Sequence, residues 1–274
     1  MGKNPGYHSK ELSIRWLGTG GFEIKTSSET ILVDPYLSRF SIKQIIFQRL
    51  VSDTARINQM IFICDHILVT HSHFDHISDV PAIAKLTGAH VLSPEIGCEI
   101  LLRLGVKQER IEKIEDFKRI TLGQVKVLPI PGKHLTVSNK LKEPLWLPKK
   151  GRYPMRSLNY PMDKNFSFLM DFLDISILNW TSEDISHLPH ADVLLIKPQT
   201  DTVYQAVSQI KPGLIIPIHW DAFWKKKEKP MPLTYYKRKP AFKALDWNDF
   251  HKNITQISPN SKILIPQMGR RYKI

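Results

Sequence analysis

The stretch from Thr70 to His76, Thr-His-Ser-His-Phe-Asp-His, follows an apolar run that predicts a buried strand. Alternate side chains of an extended chain point to the same side, so His71 and His73 can bind one metal ion together. Asp75 and His76 fall in the turn before the next helix, where they can point at the same cavity or at a second ion. Imidazole and carboxylate ligands suit Zn²⁺, with Mn²⁺ or Fe as alternatives. The stretch therefore predicts a metal site, with one or two ions.

The alternative is that these are ordinary surface or core histidines. The chain has 11 histidines. Three of them with an aspartate at this spacing arise by chance in about one chain per thousand, so the spacing favours the metal site.

The sequence around this stretch predicts a layered α/β fold. Two halves of similar size each run from strands into alternating helices and strands, which predicts a four-layer αβ/βα sandwich with helices outside both sheets. The predicted strands are residues 14–17, 22–25, 31–33, 67–70, 90–92, 166–172, 175–178, 193–196 and 214–217, with a hairpin over 117–130. The run Gly18-Thr19-Gly20-Gly21 is the predicted turn between the first two strands. The predicted helices are residues 41–62, a segment starting at Ser78 or Asp79, residues 94–104 and residues 202–210.

The histidine stretch resembles the signature of the metallo-β-lactamase superfamily. Further matches are Trp16-Leu17-Gly18, Phe22 and the run from Ile31 to Pro35. The pattern is similar to the branch that contains ascorbate phosphate lactonases and N-acyl-phosphatidylethanolamine phospholipases. This resemblance implies a single metallo-β-lactamase-like domain over residues 1–274, with basic insertions near 135–164 and 224–240.

The resemblance also implies two further metal ligands. His134 matches the third histidine of the first metal position, and His219 matches the late histidine of the second position. With His71, His73 and His134 alone, the site would resemble a catalytic zinc site with three protein ligands and one open position.

One departure from the family pattern bears on the second ion. Dinuclear members carry a bridging aspartate after the second-half hairpin, and here Trp180 or Ser182 would occupy that place. Trp180 and Ser182, together with Lys133, are also candidate substrate-binding residues. Asn179, Glu183 and Asp184 are candidate replacements. The number of ions therefore stays open.

The predicted chemistry is hydrolysis by a metal-bound hydroxide, because zinc lowers the pKa of its water from 15.7 to about 7. Asp75 is the candidate catalytic residue, which would orient the hydroxide or hold a second ion. Asp34 is a candidate hydrogen-bond partner for a ligand histidine, a role that carboxylates often take. Its alternative role is that of a turn residue before Pro35.

The net charge of +13 favours anionic partners. Lys133 and the basic residues of 135–164 would place positive charge at the mouth of the site. We therefore expect a small or lipid-like anionic ester as substrate, a phosphoester or phosphodiester in preference to a lactone. The alternatives are a nuclease of the same superfamily and a non-catalytic metal- or lipid-binding protein, with peripheral membrane contact through residues 224–240.

Localisation rests on weaker features. No apolar run approaches the roughly 18 residues of a membrane span, and the first residues lack the apolar stretch of a signal peptide. A cytoplasmic protein is favoured, with an exported protein whose upstream signal was removed as the alternative. Cys64 and Cys98 are predicted to be buried free thiols. Nothing in the sequence predicts an oligomeric state.

Overall fold

The structure, a computed structural model, describes residues 11–134, 154–157, 160–200, 202–231 and 245–274. The strands are β1 Ser13–Gly18, β2 Gly21–Lys25, β3 Thr30–Val33, β4 His66–Leu68, β5 His90–Ser93, β6 Ile111–Lys113, β7 Ile120–Leu122, β8 Val125–Gly132, β9 Asn165–Phe172, β10 Ile175–Trp180, β11 Val193–Ile196, β12 Leu214–Pro217, β13 Lys262–Ile263 and β14 Arg271–Lys273. The helices are α1 Ile42–Phe47, α2 Thr54–Met60, α3 Phe74–Ile77, α4 Val80–Thr87, α5 Glu95–Arg103, α6 Thr202–Ile210 and α7 Trp247–Ile257, with a 3-10 turn at Gln108–Arg110.

These strands form two mixed sheets of seven strands each. Sheet one has the order β14-β1-β2-β3-β4-β5-β6, and sheet two has the order β13-β12-β11-β10-β9-β8-β7. In both sheets an antiparallel part joins a parallel part, at β3 in sheet one and at β10 in sheet two. The carboxyl ends of parallel strands meet at one edge of a sheet, which brings the residues after β4, β11 and β12 to a common side of the molecule.

Three apolar clusters separate four layers. The inner cluster lies between the sheets and includes Trp16 and Phe22 from sheet one with Phe166 and Phe168 from sheet two. A second cluster lies between sheet one and helices α2, α4 and α5, and a third lies between sheet two and helices α6 and α7. Burying one such aromatic side chain contributes about 1.5–3 kcal/mol. The predicted four-layer αβ/βα sandwich is confirmed.

The single helix predicted over residues 41–62 is wrong, because the segment forms two short helices. Ser41 caps α1 with a capping box, and Asp53 caps α2 by accepting a hydrogen bond from the backbone N–H of Arg56. Between them Leu50 is buried, and its N–H donates to the carbonyl of Met155. The break lets the chain turn inward at Leu50 instead of continuing along the surface.

The helix predicted to start at Ser78 or Asp79 begins at Val80, with Pro81 in its first turn. Asp79 makes no capping hydrogen bond; its carboxylate accepts the N–H groups of Leu37 and Ser38 at 2.7 and 2.6 Å. Because Leu37 and Ser38 follow β3, the carboxylate fixes the chain segment that leaves the end of this strand. The sequence analysis also missed α3, α7, β6, β13 and β14, most of which are short.

Cys64 is buried, Cys98 is partly exposed, and neither forms a disulfide. Among the described residues, no helix has the length and apolar character needed to cross a bilayer. Most of the predicted insertion at 135–164 lies outside the described residues. The same is true of residues 232–240 of the predicted insertion at 224–240.

Candidate metal centre

The candidate ligands come together where strands of both sheets end. His71 and His73 follow β4, and the first turn of α3 carries Asp75. His134 follows β8 and His219 follows β12, both from sheet two. Each sheet therefore supplies ligands to one site at the edge of the sandwich.

The first ligand group consists of His71, His73 and His134. Nε2 of His71 lies 3.1 Å from Nδ1 of His73. The His134 ring centroid lies 4.6 and 4.7 Å from those of the other two rings. One ligand nitrogen from each ring falls within 4.8 Å of the others. Three imidazole nitrogens that converge in this way fit the three protein ligands of a catalytic zinc ion.

The second ligand group consists of Asp75, His76 and His219, again with ligand atoms within 4.8 Å of one another. Oδ2 of Asp75 lies 3.7 Å from Nε2 of His76 and 3.6 Å from Nε2 of His219. The two groups are adjacent, since the ring centroids of His71 and His76 are 3.9 Å apart.

Asp34 connects the two ligand groups through hydrogen bonds. Its Oδ2 accepts the hydroxyl of Thr70 at 2.5 Å and lies 2.7 Å from Nδ1 of His76. Its Oδ1 accepts the backbone N–H of Thr70 at 2.7 Å. Because the hydroxyl proton of Thr70 is used on Asp34, the Thr70 oxygen accepts the Nδ1 proton of His71, 2.9 Å away. Neutral His71 and His76 therefore carry their protons on Nδ1 and present bare Nε2 atoms to the ligand groups.

The protonation states suit metal binding. Burial lowers the pKa of His71 well below its usual range, so the ring is neutral. Burial raises the pKa of Asp75, but the surrounding histidines, His76 first, hold it far below its usual range. Burial lowers the pKa of His76, and the carboxylates of Asp34 and Asp75 outweigh burial and raise it overall. The site at neutral pH thus offers a neutral His71 imidazole and an ionised Asp75 carboxylate, the forms that bind metal ions, whereas a metal ion must displace a proton that His76 holds more tightly than usual.

The loop after β1 fixes His219. His219 has a left-handed backbone (φ 58°), and its N–H donates to the carbonyl of Thr19 at 2.7 Å. Gly20 packs against the second ligand group: a methyl group there would lie 3.1 Å from Cε1 of His76 and 3.5 Å from Cδ2 of His219. The turn predicted between the first two strands is therefore part of the site.

A buried ion pair joins this loop to the segment after β12. Nη2 of Arg39 lies 2.5 Å from Oδ2 of Asp221, and both side chains are fully buried. Arg39 also donates to the Thr19 hydroxyl at 2.6 Å and to the carbonyls of Ala222 and Lys225 at 2.8 Å. Oδ1 of Asp221 accepts the N–H of Thr19 at 3.0 Å. The pair holds the chain that follows His219 and also Thr19, whose carbonyl accepts the His219 N–H.

Three residues predicted to bind substrate have other contacts. Trp180 packs in the apolar cluster between sheet two and its helices, so its side chain does not take the place of a bridging carboxylate. The Ser182 hydroxyl accepts the N–H groups of Lys133 and Asp184 at 3.0 and 2.9 Å, which shapes the loop before His134. The Lys133 side chain is 83% exposed and lies 3.8 Å from the Asp184 carboxylate.

The inner face of β10 presents neutral side chains at the site edge. Asn179 is fully buried, and neither of its amide atoms has a hydrogen-bond partner within the described part of the chain. The Thr181 hydroxyl donates to the carbonyl of Phe166 at 2.9 Å. Asp184, one of the candidate replacements, accepts the N–H and hydroxyl of Ser186 instead.

The sequence analysis missed four residues of the site. Thr70 stood at the start of the quoted stretch, and Gly20 stood in the predicted turn, but neither carried a sign of its role. Arg39 gave no signal because its partner Asp221 is 182 positions away. Lys197, whose positive charge lowers the pKa of His219 after the larger effect of burial, directly follows β11, and only the alternation of that strand could have indicated it.

Comparisons with known proteins agree with this geometry. Residues 22–151 match the family profile of the metallo-beta-lactamase superfamily. The chain is 29% identical over 217 residues to a UPF0173 metal-dependent hydrolase of Symbiobacterium thermophilum, covering 77% of this chain and 85% of the relative. It is 28% identical over 272 residues to a UPF0173 metal-dependent hydrolase of Thermodesulfovibrio yellowstonii, covering 95% and 91%.

Solved structures show the same fold. Igni18, described as a novel metallo hydrolase of Ignicoccus hospitalis, has a TM-score of 0.59 at 14% identity, covering 96% of this chain and 98% of its own. The metallo-beta-lactamase fold protein YhfI of Bacillus subtilis has a TM-score of 0.60 at 11% identity, covering 97% and 100%.

Proposed function

We propose that the chain is a metal-dependent hydrolase of the metallo-β-lactamase superfamily, which its residues 22–151 match, and that it cleaves an anionic ester with zinc as its metal. A phosphoester or phosphodiester is preferred to a lactone. The observation that carries the proposal is the pair of adjacent ligand groups that share Asp34, in a chain with a net charge of +13.

The residues that would hold the zinc ion are His71, His73 and His134. A zinc ion bound there would lower the pKa of a coordinated water and polarise the bond under attack. Thr70 and Asp34 keep the His71 ring in the orientation and tautomer that such binding needs.

Asp75 is the candidate for orienting the attacking water. Its carboxylate is ionised, because the neighbouring histidines hold its pKa far below the usual range. His76 and His219, within 3.7 Å, fix its orientation. An ionised carboxylate held in this way can orient a water molecule by accepting its hydrogen bond, whereas its low pKa makes it a weak base.

The net positive charge supports an anionic substrate. A basic surface raises the local concentration of anions and speeds their association. Positive groups near the reacting bond stabilise the charge that develops on a phosphoryl oxygen in the transition state. A neutral ester of the same size would gain from neither effect.

The test is a comparison of two chromogenic substrates on the zinc-loaded protein. We expect bis-p-nitrophenyl phosphate, an anionic diester, to be hydrolysed with a measurable kcat/KM that His73→Ala lowers at least a hundredfold. The control is His190→Ala, an exposed histidine on the loop before β11, which should leave kcat/KM unchanged. Turnover of neutral p-nitrophenyl acetate without turnover of the diester would contradict the proposal.

A second candidate is a non-catalytic protein that binds a metal ion and an anion. The observation in its favour is the neutral inner face of β10 at Asn179 and Thr181. It predicts tight zinc binding and phosphate binding without hydrolysis of any phosphoester, phosphodiester or lactone in a substrate panel. Turnover of any of them that depends on His73 would remove this candidate.

A further inference from the structure

Lys197 lies on the inner face of sheet two, at the edge that carries the ligands. Leu195 belongs to the inner apolar cluster and Ile196 to the outer one. Because side chains alternate along a strand, Lys197 returns to the inner face. The N–H of Ile218 donates to the carbonyl of Ile196 at 3.0 Å, so the pairing with β12 continues to this point. Lys197 is therefore directed to the end of the sandwich where His219 follows Ile218.

The charge of Lys197 acts on the second ligand group. Burial lowers the pKa of His219 most, and the ammonium of Lys197 lowers it further. The same ammonium also opposes the rise in the pKa of His76 that Asp34 and Asp75 cause. The second ligand group thus lies within the electric field of the Lys197 ammonium.

The neighbouring strand presents neutral side chains beside Lys197. Trp180 of β10 pairs with Ile196 of β11 in parallel. Thr181, which follows Trp180, therefore lies beside Lys197, which follows Ile196. Asn179 lies two residues before Thr181, on the same face of the strand. It is fully buried, and neither of its amide atoms has a hydrogen-bond partner in the described part of the chain. Both side chains are neutral, where a bridging carboxylate would be needed for a second ion.

Electrostatics therefore disfavour a second divalent ion. Two such ions would bring four positive charges to two ligand groups whose only anionic member is Asp75. Asp34 adds a negative charge behind them, and Lys197 adds a positive charge. Like charges held a few ångströms apart in a partly buried site repel strongly, because the effective dielectric constant there is low.

We propose that Lys197 supplies, at the second half of the site, the positive charge that a second metal ion would otherwise supply. The chain then works with one ion, bound by His71, His73 and His134, and the Lys197 ammonium binds the anionic group of the substrate. A lysine ammonium is a compact charge with three donors, well suited to phosphate. The role in substrate binding rests on the proposed function, whereas the single ion does not.

The first experiment counts bound zinc. The stripped protein is dialysed against buffered free zinc just sufficient to saturate one site, and bound zinc is measured by mass spectrometry. We expect one zinc per chain in the wild type, and two in the double variant Thr181→Asp/Lys197→Met, which restores a carboxylate and removes the ammonium. Two zinc ions of equal affinity in the wild type would overturn the proposal.

The second experiment measures inorganic phosphate binding to the zinc-loaded protein by calorimetry. Lys197→Met should weaken phosphate binding at least tenfold, while Lys197→Arg, which keeps the charge, should retain most of it. The matched control is Lys126→Met, which removes an exposed lysine from β8 of the same sheet and should change nothing. Equal phosphate affinity in Lys197→Met and the wild type would contradict the role of Lys197.

The two experiments separate this inference from the proposed function, because neither depends on turnover. If no ester is hydrolysed but one zinc binds and Lys197→Met loses phosphate, the proposed function fails and Lys197 keeps its role. If esters are hydrolysed by a protein that binds two zinc ions, the proposed function stands and the inference about Lys197 fails.

Discussion

At the scale of single residues, Asp34 has the greatest influence on the site. It has a left-handed backbone (φ 44°), a conformation that aspartate tolerates better than most residues. Its two oxygens receive the Thr70 N–H, the Thr70 hydroxyl and Nδ1 of His76. The sequence offered this role only as one of two alternatives, because a hydrogen bond across 36 and 42 positions leaves no local pattern.

The variant Asp34→Asn should weaken zinc binding by about 10–100-fold, the range typical for partners of metal-binding histidines. Both oxygens of Asp34 accept hydrogen bonds, so an amide group must place its NH₂ against a donor. Competition with a chromogenic chelator measures the affinity. Asp65→Asn is the matched control, because Asp65 accepts the N–H of Thr30 through one oxygen and lies before β4, far along the same sheet from the site. Equal zinc affinity in Asp34→Asn and the wild type would contradict the role of Asp34.

Gly20 gives a second prediction at this scale. The methyl group of Gly20→Ala would lie 3.1 Å from the His76 ring, so that ring must move by a few tenths of an ångström. We expect a several-fold loss of kcat/KM with little change in the free energy of unfolding, since small misplacements of site groups cost rate steeply. Gly213→Ala is the control, because its methyl group would meet only an ordinary contact at 3.6 Å. An unchanged kcat/KM in Gly20→Ala would show that the contact does not position His76.

At the scale of elements, the site depends on loops that leave strand ends and on contacts that hold those loops. The strand before His71 and the alternation that pairs His71 with His73 could be predicted, because the side-chain period of a strand is two. The break between α1 and α2 could not, because it depends on Leu50 meeting Met155 across a long stretch of chain. The same holds for the Arg39–Asp221 pair, which joins two loops and follows no periodic pattern.

Arg39→Met should lower the free energy of unfolding by about 3–5 kcal/mol, because it leaves the Asp221 carboxylate buried without its partner. Urea unfolding followed by circular dichroism measures this change. The double variant Arg39→Met/Asp221→Leu should recover a large part of the loss, since it removes the unpaired charge. Lys118→Met, which breaks the exposed pair with Glu115, is the control and should have no measurable effect. A loss in Arg39→Met no larger than in this control would contradict a stabilising role for the pair.

At the scale of the whole molecule, the metal centre joins the two halves of the sandwich. His71 and His73 come from sheet one, whereas His134 comes from sheet two. The alternation of strands and helices made the two halves predictable from the sequence. The meeting of their edges in one site came only from the family resemblance, because the positions of His134 and His219 follow no local pattern.

Zinc binding should therefore stabilise the folded protein. An ion present at about 1,000 times its Kd adds about 4 kcal/mol, and at about 2–4 °C per kcal/mol for a chain of this size the melting temperature should rise by about 10 °C. Differential scanning fluorimetry of stripped and zinc-loaded protein measures this rise. In His134→Ala the rise should nearly vanish, whereas in His190→Ala it should persist. A full rise in His134→Ala would show that zinc binds elsewhere.

The central claim is that hydrolysis depends on one metal ion held by the three histidines. The most direct test is a titration of zinc into the stripped wild-type protein, with bound zinc and the hydrolysis rate of bis-p-nitrophenyl phosphate recorded at each addition. The account predicts no turnover without zinc and a rate that reaches its plateau at one zinc per chain. Full turnover in the stripped protein, or a rate that rises only with a second ion, would contradict it.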